Sequence, residues 1–126
     1  MPKTYDQLHD VLTAFKTEKG ADSAFVLPVS GMNDFVTGGF GIASTFYVED
    51  GTIKFGPLEQ GYRDYLELMA KWYSEGLIYA DYYNYANEIM FDGTDMIGDG
   101  QVALYYNEVG TMTTYAEYSK DPNFQV

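Results

Sequence analysis

Two short, uninterrupted apolar runs constrain the fold of this chain more than any other feature. Residues 24–27 read Ala-Phe-Val-Leu and are ended by Pro28, and residues 102–106 read Val-Ala-Leu-Tyr-Tyr. Runs of this length without polar alternation are typical of strands that are covered on both faces, as in parallel sheets. Because helical patterns precede and separate the two runs, the sequence predicts an α/β fold with a small, mostly parallel sheet flanked by helices.

Two amphipathic helices are predicted on either side of the first run. The first begins after Thr4, whose hydroxyl can cap it, with Gln7 completing a capping box, and it ends at Gly20. The second covers about residues 59–75, and Gly76 lies where a left-handed residue ends a helix. Helical spacing predicts that one stripe of the second helix faces the core, with Trp72 packed beside it: Tyr62, Tyr65, Leu66, Met69 and Tyr73.

The dipeptide Asp50-Gly51 lies between two β-prone runs. This arrangement is a strong signal for a tight turn, so we expect a β-hairpin near residues 45–55. A further helix is predicted over about residues 111–118, whereas residues 79–90 lack clear periodicity and are interpreted as an irregular connection.

The charge balance excludes several classes of partner. The 126 residues suit one domain and include 7 Lys and Arg against 19 Asp and Glu, a net charge of −12. Nucleic-acid binding requires clustered basic side chains, so neither DNA nor RNA is an expected partner, and nor is an anionic membrane surface.

There is no Cys, which excludes disulfides and thiolate metal sites. No apolar run approaches the roughly 20 residues that span a bilayer, so no transmembrane segment is expected.

The sequence offers no constellation for catalysis, and we expect a protein that is not an enzyme and has no cofactor. His9 is the only histidine and is expected to lie at the surface or at the boundary of the core, without a triad partner. Asp92, Asp95 and Asp99 lack the spacing of a calcium loop and are interpreted as a solvated acidic segment. No catalytic residue and no metal ligand is therefore predicted.

Ring-bearing and polar residues follow the two predicted buried strands. In open α/β sheets ligands bind outside the carboxyl ends of the strands, which here means residues 28–35 and 106–111. Plain packing of the rings is the alternative interpretation. Rings beside amides and carboxylates suit a neutral, hydroxyl-rich ligand such as a carbohydrate. The residues concerned are Asn33, Asp34, Phe35, Tyr106, Asn107 and Glu108, together with Phe40 in the glycine-rich stretch that continues the first segment.

Four stretches follow one another in a distinctive order. They are Pro2-Lys3-Thr4-Tyr5-Asp6-Gln7-Leu8 before the first helix, the hairpin sequence of residues 46–57, the helix sequence of residues 62–69 and 72–78, and Gly98-Asp99-Gly100-Gln101-Val102-Ala103-Leu104. Together they resemble the extracellular solute-binding proteins of ABC importers, with the maltose-binding-like group (family 1) as the nearest comparison.

The resemblance implies a type II periplasmic-binding-protein fold, in which two α/β lobes close on a ligand about a hinge and a membrane permease receives the closed form. Residues 1–126 are then expected to be one partial lobe, the central part of the carboxy-terminal one. The full-length protein is expected to be periplasmic or lipid-anchored at the cell surface, with its export signal outside these residues. Matching to the family's motifs implies that six residues face the ligand: Met32, Asn33, Phe35, Tyr106, Asn107 and Glu108.

The expected function is therefore the binding of an extracellular solute, a carbohydrate or oligosaccharide, for delivery to an ABC permease. Two alternatives stay open from the sequence. One is a receptor of the same fold for a peptide or cationic solute, which suits the acidic surplus. The other is a fragment or accessory domain of a glycoside hydrolase.

Overall fold

The computed structural model describes residues 1–21, 23–26, 34–82, 96–97, 100–104, 113, 115–117, 119 and 122–123. Within these residues the chain is mixed α/β, as predicted. The helices are α1 (Tyr5–Lys19), α2 (Asp34–Thr37) and α3 (Gln60–Ser74), and the strands are β1 (Ser23–Phe25), β2 (Phe46–Glu49), β3 (Thr52–Phe55) and β4 (Val102–Leu104). Two 3-10 turns, Gly38–Phe40 and Gly56–Leu58, precede β2 and α3.

The start of α1 follows the predicted chemistry in part. Thr4 has an extended backbone, and its Oγ1 accepts a hydrogen bond from the Gln7 backbone N–H at 3.2 Å. The Gln7 side chain, however, accepts from the Lys3 N–H at 2.8 Å rather than from the Thr4 N–H of a full capping box. The helix ends at Gly20, whose φ of 66° is accessible to glycine at little steric strain.

The end of α3 is the predicted Schellman motif. The Leu77 N–H donates to the Trp72 carbonyl at 2.9 Å, and the Gly76 N–H donates to the Tyr73 carbonyl at 2.9 Å. Gly76 has a φ of 68°, and Leu77 is buried against the core. The helix is therefore terminated by its own sequence as well as by packing.

The buried stripe of α3 differs from the prediction. Tyr65, Met69 and Trp72 are buried, whereas Leu66 and Tyr73 are 50% and 47% exposed. The core that α3 meets is built from α1 and β1, and it lies on the side of Trp72, so the contact stripe is rotated away from Leu66 and Tyr73. The predicted packing of Trp72 is confirmed, since this side chain has 0% exposure.

The predicted parallel sheet is present. β1 and β4 are parallel neighbours, with Ser23 opposite Val102 and Phe25 opposite Leu104. On the other side of β1, Phe25 forms a parallel bridge with Ile78. All three residues of β1 are buried, as expected for a strand covered on both faces.

The predicted hairpin is also confirmed. β2 and β3 are antiparallel, with Phe46 opposite Phe55 and Glu49 opposite Thr52. Asp50 and Gly51 between them have φ values of 49° and 75°. Two consecutive positive φ values are those of a type I′ turn, whose twist matches that of the strands.

Helices α1, α2 and α3 meet β1 in one hydrophobic core, whose buried residues are Leu12, Ala24, Phe25, Val36, Tyr65, Met69, Trp72, Leu77 and Ile78. A second cluster contains Val26, Ile97, Val102 and Tyr115. Of the predicted helix over residues 111–118, Thr113 and residues 115–117 are described, and they are helical. In the described part of the chain no helix has the length and apolar character needed to cross a membrane.

Candidate functional site

The carboxyl ends of β1 and β4 lie side by side. The two strands are parallel and in register, and directly beyond β1 the Val26 N–H donates to the Leu104 carbonyl at 3.2 Å. The sequence predicted that ligand-facing residues follow these two strands. Because parallel neighbours end at one edge of a sheet, the carboxyl ends of the two strands that precede the predicted segments in the sequence are adjacent.

Most of the predicted site residues lie outside the described residues: Met32, Asn33, Tyr106, Asn107 and Glu108. Asp34 and Phe35 form the first turn of α2, and their side chains are not among those described. Phe40 is the one predicted site residue whose side chain is described.

Phe40 is packed among other rings. Its ring stacks on Tyr5, with centroids 4.9 Å apart and planes at 13°, and it meets Tyr65 edge-on at 6.3 Å. The Phe40 side chain is half-buried, and it contacts the main core cluster. One face of the Phe40 ring is therefore covered by Tyr5, and the Phe40 side chain also lines a surface pocket.

Tyr5 holds the segment that carries Phe40. Its hydroxyl donates to the Val36 carbonyl, and the Gly39 backbone N–H hydrogen-bonds to the Tyr5 oxygen. Burial raises the pKa of Tyr5 above its usual value of 10.0, although the Gly39 hydrogen bond acts in the opposite direction. A Cβ at Gly39 would lie 1.9 Å from the Tyr5 hydroxyl, so this close approach requires glycine. Sequence reasoning missed this anchor, because Tyr5 carries no local signal for a partner in α2.

A pocket of about 550 Å³ lies between the start of α1 and the outer side of α3, beside the Tyr5–Phe40 stack. It combines ring edges with three carboxylates and one ammonium group. Two of the carboxylates are engaged along α3: Asp64 accepts from Gln60 at 2.8 Å, and Glu67 accepts from Arg63 at 3.2 Å. The lining residues are Thr4, Tyr5, Asp6, Phe40, Asp64, Glu67, Leu68 and Lys71.

The charged groups near His9 join α1 to the end of α3. His9 Nε2 lies 2.6 Å from Glu75 Oε2, and its ring centroid lies 6.2 Å from that of Trp72. Lys16 Nζ donates to the carbonyls of Glu75 and Gly76, both at 2.9 Å. His9 is thus at the boundary of the core, as predicted, and its contacts are those of a connection between helices.

Among the residues that the structure describes, no group of three His, Asp or Glu side chains is placed to hold a metal ion. The acidic residues Asp92, Asp95 and Asp99, interpreted as a solvated segment, lie outside the described residues.

The described residues define a mixed α/β protein with a parallel pair of strands and a separate antiparallel hairpin. A comparison with protein-family models, curated proteins and solved structures finds no match for the chain.

Proposed function

We propose that this chain is a solute-binding lobe of an ABC importer receptor that binds a carbohydrate or oligosaccharide without chemically changing it. The observation that carries the proposal is the parallel pairing of β1 with β4, because the two segments predicted to face the ligand follow these strands. Ligands of open α/β sheets bind at this edge, so the pairing supports a shared site for residues that are distant in the sequence.

The residues after the two strands supply the chemistry that a neutral sugar needs. Phe35 and Tyr106 offer ring faces, on which the C–H faces of a sugar stack, while Asn33 and Asn107 offer amides for its hydroxyl groups. Glu108 adds a carboxylate that accepts hydrogen bonds from hydroxyl groups. A few placed polar groups among rings are typical of small-molecule sites.

In the proposed protein this lobe is one of two that close about a hinge, and closure signals occupancy to the permease. The Tyr5 hydrogen bonds to Val36 and Gly39 favour such a role, because they fix α2 and the following turn against the rigid α1. Sites built on rigid elements hold a ligand with more precision than free loops do. The proposed location is extracellular, at the cell surface or in the periplasm.

Titration calorimetry of the full-length protein against neutral oligosaccharides tests the proposal. We expect saturable binding that Tyr106→Ala weakens about five- to thirtyfold, since one lost ring contact removes about 1–2 kcal/mol. Tyr47→Ala, in the hairpin, is the matched control and should leave the affinity unchanged. Binding of peptides with no binding of any glycan would contradict the sugar assignment, and turnover of an aryl glycoside would replace it with a hydrolase.

The pocket beside Phe40 favours a second candidate, a receptor for a peptide or cationic solute. Its three carboxylates, from Asp6, Asp64 and Glu67, outnumber the Lys71 ammonium and the Arg63 guanidinium that is paired with Glu67. A cationic ligand held there would lose affinity steeply as ionic strength rises, whereas a neutral sugar would not. Calorimetry at low and high salt therefore distinguishes the two candidates.

A further inference from the structure

The hairpin presents an apolar face of four side chains, three of which are largely exposed, while the fourth, Phe55, is 36% exposed. Phe46 is opposite Phe55, and Val48 is opposite Ile53, so the alternation of a strand places all four side chains on one face. Phe46, Val48 and Ile53 are 70%, 68% and 73% exposed. The rings of Phe46 and Phe55 lie 4.6 Å apart, which makes the face a continuous apolar surface.

A two-stranded hairpin of this kind is marginally stable in water when it stands alone. What holds it here is local: the Asp50-Gly51 turn, the Phe46–Phe55 contact and the Lys54 ammonium, which lies 2.5 Å from Glu49 and 3.9 Å from Glu59. Contiguous exposed apolar patches often mark interaction surfaces.

The charges around the hairpin indicate what chemistry its partner has. Among the described residues of the hairpin and the segment up to Glu59, three carboxylates come from Glu49, Asp50 and Glu59, and the Lys54 ammonium is paired with Glu49 and Glu59. The whole chain carries a net charge of −12. A partner with basic side chains around an apolar ridge is therefore attracted, whereas an anionic lipid surface is repelled.

A second copy of the chain fits this face less well. Two copies would bring their acidic turns and their net negative charges together, which opposes association at low salt.

We propose that the face formed by Phe46, Val48, Ile53 and Phe55 is a docking surface for a basic amphipathic helix of a partner protein. Apolar side chains at helical spacing pack on the pleated face, and flanking Lys or Arg side chains meet Glu49, Asp50 and Glu59. The proposal goes beyond solute binding and is independent of it, since none of these residues belongs to the proposed solute site.

The test uses a fluorescently labelled synthetic amphipathic peptide of leucine and lysine, with fluorescence anisotropy as the readout. We expect saturable binding to the full chain that weakens as salt is added. Ile53→Thr keeps a β-branched residue and should weaken binding about tenfold, since it removes roughly the contact area of two methyl or methylene groups. Tyr47→Thr, which alters the opposite face of the same hairpin, should leave binding unchanged.

The test is completed by a leucine and glutamate peptide and by two assays for other occupants. The proposal is overturned if the lysine peptide does not bind, if Ile53→Thr binds it as tightly as the parent chain, or if the glutamate peptide binds equally well. A dimer in sedimentation equilibrium that Ile53→Thr dissociates would assign the face to a second copy. Sedimentation with phosphatidylcholine vesicles that Ile53→Thr abolishes would assign it to a membrane. Emission of the buried Trp72 verifies that both variants are folded.

Discussion

His9 and Glu75 connect the two long helices, with 2.6 Å between His9 Nε2 and Glu75 Oε2 across a sequence separation of 66 residues. The same region of α3 receives the Lys16 ammonium on its last carbonyls. Both side chains of the His9–Glu75 pair are about one third exposed, so solvent screens their attraction. The contact therefore joins α1 to the end of α3 and contributes little to the stability of the fold.

Replacement of His9 and Glu75 by alanine, singly and together, should reveal a coupling free energy of less than about 1 kcal/mol, because a screened pair contributes little. Urea unfolding monitored by Trp72 fluorescence measures it, since Trp72 is the only tryptophan and is fully buried. Asp10→Ala is the matched control, because Asp10 is 4.0 Å from the His9 ring and largely exposed. A coupling free energy well above about 1 kcal/mol would contradict this expectation.

Removal of the Lys16 ammonium should lower the free energy of unfolding by about 1 kcal/mol. The Lys16 ammonium donates hydrogen bonds to two carbonyls at the end of α3. Its positive charge also interacts favourably with the negative end of the helix dipole. Lys16→Met keeps the apolar stem of the side chain and isolates the loss of the charge. Lys19→Met, one turn later on α1, serves for comparison, and equal effects of the two replacements would count against the role of Lys16.

Gly39→Ala should destabilise the protein by about 1–3 kcal/mol, the usual range for overpacking. The added Cβ would lie 1.9 Å from the Tyr5 hydroxyl oxygen and 2.6 Å from the ring carbon that bears it. Gly38→Ala is a close control, because a Cβ there meets no atom within 4 Å. Thermal unfolding of both variants checks the difference.

A Tyr5→Phe background refines the Gly39 test. The phenylalanine removes the nearer clashing atom and keeps the ring that stacks on Phe40. Gly39→Ala should therefore destabilise the Tyr5→Phe protein less than it destabilises the parent. An unchanged penalty would place the strain elsewhere in the turn.

Stability should fall at high pH because of Tyr65. Burial, with smaller contributions from Tyr62 and Tyr82, raises the pKa of Tyr65 from 10.0 to about 12. The folded protein then holds this proton more tightly than the unfolded chain does. The resulting stabilisation is complete below pH 10 and is lost as the pH rises towards 12.

The difference in free energy of unfolding between the parent and Tyr65→Phe isolates this group from the other tyrosines, which titrate in both proteins. Between pH 8 and pH 11, the free energy of unfolding of the parent should fall by about 1.4 kcal/mol relative to that of Tyr65→Phe. Guanidinium unfolding at several pH values measures it. A constant difference would mean that Tyr65 titrates alike in the folded and unfolded states.

Local signals in the sequence were enough to predict several elements. Gly20 and Gly76 end the two long helices because each has a positive φ, and Asp50-Gly51 forms the hairpin turn for the same reason. The apolar run before Pro28 predicted β1, and the run beginning at Val102 predicted β4. These features depend on residues that are neighbours in the chain, so the sequence is sufficient for them.

The proposed site was predictable only in outline. The sequence indicated that its residues follow two buried strands, and the structure establishes that β1 and β4 are parallel neighbours. The sequence predicted that Phe40 lies at a ligand site, but it did not predict that the Phe40 ring stacks on Tyr5. No local sequence pattern indicates a contact between the start of α1 and the turn after α2.

By itself, the sequence determined where α1 and α3 end, and it determined the turn of the hairpin. Only the tertiary structure decided which stripe of α3 is buried, since the positions of α1 and β1 bring Trp72 inward and leave Leu66 exposed. It also decided that Tyr5 anchors Val36 and that His9 meets Glu75. The physical reason is that helical and strand signals act between near neighbours, whereas these contacts join residues that only the folded chain brings together.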